Sequence, residues 1–186
     1  MKVRLALVLV LLCAVAAQAQ KHELSISGGG LFPSRNNVSL DKTFGFQVGY
    51  AGRLFHAPAA SLFVELPLAI GMNNGFTTTI GATTIQDNYN SLFFTPALKV
   101  KLAPEFPMSP WVSAGYGVAY YKRDSGATNN TNVFSFGGGL DIKVAPYVSI
   151  RGEVRDFYTG EANIFQQTTT VRQHNVFAGA GLVFRF

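Results

Sequence analysis

Phe44-Gly45-Phe46-Gln47-Val48-Gly49-Tyr50-Ala51 sets an aromatic or branched side chain on every even number and a small or polar one on every odd number. Successive side chains of a strand point to opposite faces, so this stretch reads as a β-strand with one apolar and one small, polar face. The same parity runs outward from it. It includes Leu24 and Ile26 before it, then Leu62, Val64, Leu66, Leu68 and Ile70, then Leu92, Phe94, Leu98, Val100 and Leu102. A fifth strand carries Val112, Tyr116, Val118 and Tyr120, and a sixth carries Phe134, Phe136, Leu140, Ile142 and Val144. Val148, Ile150 and Val154 mark a seventh, and Val176, Leu182, Phe184 and Phe186 an eighth. Each spans roughly 9–13 residues, close to the length a tilted strand needs to cross a bilayer.

The connections alternate too. Those near 33–42, 73–90, 123–132 and 159–170 are long, and those near 55–60, 103–110 and 145–146 are short. Consecutive hairpins produce this arithmetic, with long loops at one end and tight turns at the other. The predicted fold is all-β: an eight-stranded antiparallel up-and-down transmembrane β-barrel. Pro67 and Pro96 fall within the third and fourth strands, where each removes a ladder donor, and are expected to mark bulges.

The odd-numbered face decides what lies inside. Gly45, Gln47, Gly49, Ala51 and Arg53 form one strip of it, Ser113, Gly115, Gly117 and Ala119 another. A soluble exterior would favour Lys, Glu and Thr, whereas a narrow barrel has room inside for small residues and a few long polar ones. The odd face is therefore placed in the lumen, against the reversed arrangement of a soluble, ligand-carrying barrel. Its charges are Arg53, Glu65, Lys99, Lys101, Asp141, Lys143, Arg151, Glu153, Arg155 and Arg185. Buried charges must be paired, so Glu65, Asp141 and Glu153 are each expected between two or more bases, plugging the lumen rather than opening an ion path. Two aromatic girdles are expected at the lipid–water boundaries. Phe44, Phe46, Phe94, Tyr120, Phe134 and Tyr158 would form one, and Trp111, Tyr147, Phe184 and Phe186 the other.

Residues 1–20 read as a cleaved signal peptide: Lys2 and Arg4, an apolar run from Leu5 to Ala17, then small residues at Ala17 and Ala19. The barrel domain would then occupy 21–186. Cys13 is the only cysteine and lies within the leader, so the mature chain has no disulfide or thiol chemistry. Losing Lys2 and Arg4 lowers the net charge of +5 by two, and the remaining charges are scattered, which argues against nucleic-acid binding. Beyond the leader no apolar run is long enough for a membrane helix.

The last segment, Val176-Phe177-Ala178-Gly179-Ala180-Gly181-Leu182-Val183-Phe184-Arg185-Phe186, alternates up to a terminal aromatic. With the leader and the strand count, it resembles the small outer-membrane barrels of OmpA-like and OmpX-like type. The resemblance implies an outer-membrane location after signal-dependent export. It also implies that Leu182, Phe184 and Phe186 form the signal read by the barrel-assembly machinery.

Some barrels of this resemblance are lipid-A-modifying enzymes, which use a His, a nucleophilic Ser and an acidic partner. Here Arg172-Gln173-His174-Asn175 lacks the His-x-Ser arrangement, and His22 and His56 lie elsewhere. No two His are near in sequence, so no metal ligand set is read and no cofactor is expected. Gly28-Gly29-Gly30 and Gly137-Gly138-Gly139 lead into no helix and read as close-packed strand rather than phosphate loops. The Thr-rich second and fourth loops carry β-propensity. They either extend as a protruding sheet whose edge binds a partner or are merely long hairpins. The reading is a non-enzymatic, monomeric barrel with a structural or surface-interaction role, contacting membrane lipid and an extracellular partner at these loops. A narrow channel remains an alternative.

Overall fold

A sheet in lipid cannot leave its edges unpaired, because nothing there hydrogen-bonds the free N–H and C=O groups. The chain meets this requirement by closing on itself. The computed structural model describes residues 21–34, 39–80, 83–160 and 172–186, so the proposed leader and most of the fourth long loop lie outside the described residues. The strands are β1 (His22–Ser34), β2 (Ser39–Leu40), β3 (Thr43–His56), β4 (Ala60–Ile80) and β5 (Thr83–Phe94), followed by β6 (Ala97–Leu102), β7 (Met108–Arg123), β8 (Thr128–Ala145), β9 (Val148–Thr159) and β10 (His174–Arg185). Every pairing is antiparallel. β1 joins β10 on one side and β3 on the other, while β4 meets β5 and β6 to complete the ring. With β5 and β6 forming one stave, the barrel is closed and eight-stranded.

The prolines do not act as expected. Pro96 separates β5 from β6, yet Phe94↔Val118 and Ala97↔Gly115 keep one continuous register, and Pro67 pairs with Gly49 without a shift. The ring nitrogen costs a ladder bond, but the carbonyls still accept: Tyr116 N–H bonds Pro96 at 3.1 Å and Thr95 N–H bonds Pro67 at 3.3 Å. Register shifts occur instead between Arg53 and Phe55, Gly71 and Asn74, and Lys143 and Ala145, where strands leave the barrel wall.

The strands are also longer than expected, with 21 residues in β4 and 18 in β8. The 73–90 region is not an open loop. It is a ladder from Asn74↔Tyr89 to Ile80↔Thr83, onto which β2 adds through Ser39↔Thr77. Threonine's β-branch favours this extended backbone over a coil. The third loop narrows to a turn at Asp124–Ala127, where Gly126 holds a φ of 94° that a side chain would strain.

Even-numbered apolar residues face outward, as with Val112 at 62 % and Phe44 at 60 % exposure, while Phe93, Val133 and Phe157 are at 0 % inside. This is the reverse of a soluble carrier.

Candidate functional site: the lumen side chains and the outer rim

The lumen is filled in two different ways. Its lower part, toward the short turns, holds charges. Glu23 on β1 receives Lys99 at 2.8 Å, Lys101, Arg185 at 3.6 Å and Arg151 at 3.7 Å. Glu65 on β4 meets Arg155 at 2.8 Å, Lys99 at 3.5 Å and Arg151 at 3.7 Å. Asp141 on β8 takes a bidentate pair from Arg151 at 2.8 and 3.0 Å and an ion pair from Lys101 at 2.6 Å. Trp111 lies in this cluster with the Arg151 guanidinium 4.7 Å above its ring. A planar cation over an aromatic face gains from the ring's quadrupole even where every carboxylate is engaged. The Gly137-Gly138-Gly139 run makes room for it: a Cβ on Gly139 would lie 2.8 Å from the Trp111 ring.

The upper part is apolar. Leu31, Tyr89, Phe93, Tyr121, Phe157 and Phe177 form a buried cluster, with Phe93 stacked on Phe157 at 4.7 Å and edge-on to Tyr121 at 5.9 Å. A polar layer closes it from above. The amide of Asn175 donates to the Phe157 carbonyl at 3.0 Å and to the Tyr121 hydroxyl at 3.4 Å, and Gln173 donates to Asn175 at 2.6 Å.

Several expected placements need correction. Glu153 is buried but enters none of the ion pairs among the described residues. It accepts one hydrogen bond, from Gln47 at 3.1 Å, because the bases reach Glu23 and Glu65 instead. Arg53 and Lys143 sit at register shifts on the rim, outside the cluster, and Lys143 donates to the Glu105 carbonyl at 2.8 Å. Trp111 is 2 % exposed within the lumen, not in a girdle. Glu23, the carboxylate with the most basic partners, was missed. Its odd number beside Ser25 and Ser27 was the available signal.

Outside, the outer rim carries its own contacts. At the base of the β4–β5 hairpin Asp87 is paired by Arg123 at 2.9 Å. Burial raises its pKa, but the Asn88 N–H, the Ser125 hydroxyl and Arg123 outweigh that and hold the carboxyl below its ordinary value. His174 Nδ1 lies 2.7 Å from Asp156 and its ring 4.6 Å from Tyr158. No Ser hydroxyl is bonded to it among the described residues. His56 bonds Ser61 and Glu105 at the opposite end. His22 stacks on Phe186, whose N–H closes the last rung of the seam at 3.1 Å.

The model of the outer membrane protein beta-barrel domain matches residues 5–184. The chain belongs to this family. Its members and structural neighbours place this barrel in the outer membrane, so its outward apolar band faces lipid. Neisserial surface protein A superposes with a TM-score of 0.64 at 14% identity, over 90% of this chain and 99% of that one. The outer membrane protein OprG of Pseudomonas aeruginosa gives 0.54 at 10% identity, over 90% and 97%. At such identities the likeness concerns fold alone. No curated protein matches by sequence.

Proposed function

We propose that this family member is a plugged, monomeric scaffold with a structural and surface-interaction role, displaying its second and fourth long loops as the contact surface. One observation carries the reading: the described lumen is filled from the charged cluster to the aromatic one, while the β4–β5 ladder rises above it. Beyond Tyr89↔Arg123 no β7 residue pairs with β5, so among the described residues the Thr83–Gln86 backbone is an edge suited to strand addition. β2 covers the other edge at Phe76 and Thr77. In this reading export uses the 1–20 leader, and Leu182, Phe184 and Phe186 direct insertion by the assembly machinery.

The test pairs two measurements. In planar bilayers the purified chain should show no steady conductance, and conductance steps would favour a channel. Replacing Thr77–Gln86 by a tight Asn-Gly turn should leave heat-modifiable gel mobility intact. It should also reduce attachment of expressing cells to a protein-coated surface, and unchanged attachment would overturn the loop assignment.

A further inference from the structure

The lipid-facing surface is not uniform. On the outward side of β6, β7 and β8, Ala114 stands in register between Leu98 and Phe136. A methyl between two long side chains leaves the surface sunken. Beside it Pro96 interrupts the wall, and an apolar groove of about 580 Å³ results, bordered by Tyr116 and Phe134. That volume falls in the range of small-ligand clefts, about 300–1,000 Å³.

Toward the outer rim the groove continues. Tyr116 and Phe134, 4.7 Å apart, also line a second, more polar recess of about 210 Å³ with Asn132, Tyr158 and Arg172. The Arg172 guanidinium lies 5.6 Å from the Tyr158 ring centroid and donates to its hydroxyl at 3.2 Å. Among the described residues no carboxylate pairs with Arg172. Asp156, the acid on this outward row, is bonded to His174 instead. A cation without a carboxylate at headgroup depth, set above an apolar trough, matches the two ends of one molecule.

We propose that this surface binds a single phosphorylated acyl lipid of the outer leaflet, its chain along Ala114 and its phosphate at Arg172. Guanidinium suits a phosphate through paired N–H donors, and the Tyr116–Phe134–Tyr158 row provides the amphipathic boundary between chain and headgroup.

Native mass spectrometry of the mature chain in detergent, presented with dimyristoyl phosphatidic acid, dimyristoylglycerol or inorganic phosphate, tests this. The phosphorylated lipid should be retained about tenfold better than the neutral one, and Arg172→Gln should abolish that preference. Ala114→Phe, which fills the trough, should release both lipids. Val144→Phe, on the lipid face outside the groove, should change nothing. Heat-modifiable mobility shows that each variant is folded. Equal retention by wild type, Arg172→Gln and Ala114→Phe would overturn the site, as would equal losses in Ala114→Phe and Val144→Phe. Displacement of the lipid by inorganic phosphate alone would show a free-anion site and overturn it too.

Discussion

The two halves of the lumen solve one packing problem with opposite chemistry. Around Trp111, five long cations share the space with Glu23, Glu65 and Asp141, and most close contacts are directional. Around Phe93, the contacts are between ring faces and edges, with the Tyr89 and Tyr121 hydroxyls hydrogen-bonded to the polar layer above. Removing one partner of a buried ion pair is strongly destabilising, because it leaves a desolvated charge uncompensated. Aromatic packing is more forgiving, since a smaller apolar group still fills most of the volume. The charged half is thus specified residue by residue, and the aromatic half by volume.

The sharpest way to break this contrast is an isosteric neutralisation in the charged half. Glu23→Gln keeps the shape but takes one carboxylate partner from Lys99, Lys101 and Arg151 and leaves Arg185 with none among the described residues, and should cost about 3–5 kcal/mol. A lowered urea midpoint in micelles, followed by gel mobility, reads it, and an unshifted midpoint would refute the pairing argument. Phe93→Leu in the aromatic half should cost under about 1.5 kcal/mol by the same assay. If it proved as damaging as Glu23→Gln, the two halves would not differ in kind. Glu153→Gln should shift the midpoint by no more than about 1 kcal/mol, since its one contact, to the Gln47 amide, survives in a changed form. A large loss there would restore Glu153 to the network.

The smallest effect lies outside the barrel wall. Asp87 has a lowered pKa in the folded hairpin, so its contribution is present above the ordinary carboxylate range and is lost as pH falls through the folded value. The Asp87–Arg123 pair, mostly covered but at the solvated outer rim, contributes on the order of 1 kcal/mol. Limited proteolysis should therefore find the 73–90 hairpin more open in acid than at neutral pH, with Asp87→Asn removing the difference. Acid sensitivity that survives the substitution would assign it elsewhere.

Much of this was legible in residue order alone. A period of two sustained from Leu24 to Phe186, with the alternation of long and short connections, determined the strand number, the direction of each strand and the face each side chain takes. Side-chain parity is a local property of extended backbone, so no tertiary information is needed to read it. The identity of each partner was different. Parity alone put Glu23, Glu65 and Glu153 on one face, but which of them the bases reach depends on the stagger between staves and on rotamers far apart in the chain. Trp111 lies inside beneath Arg151 by its odd number, while the same stagger left Arg53 and Lys143 at the rim and let Pro67 and Pro96 sit in the wall without bulges. The closed sheet decided these placements, because closure sets how far each strand slides past its neighbour, and that displacement is a property of the ring rather than of any one segment.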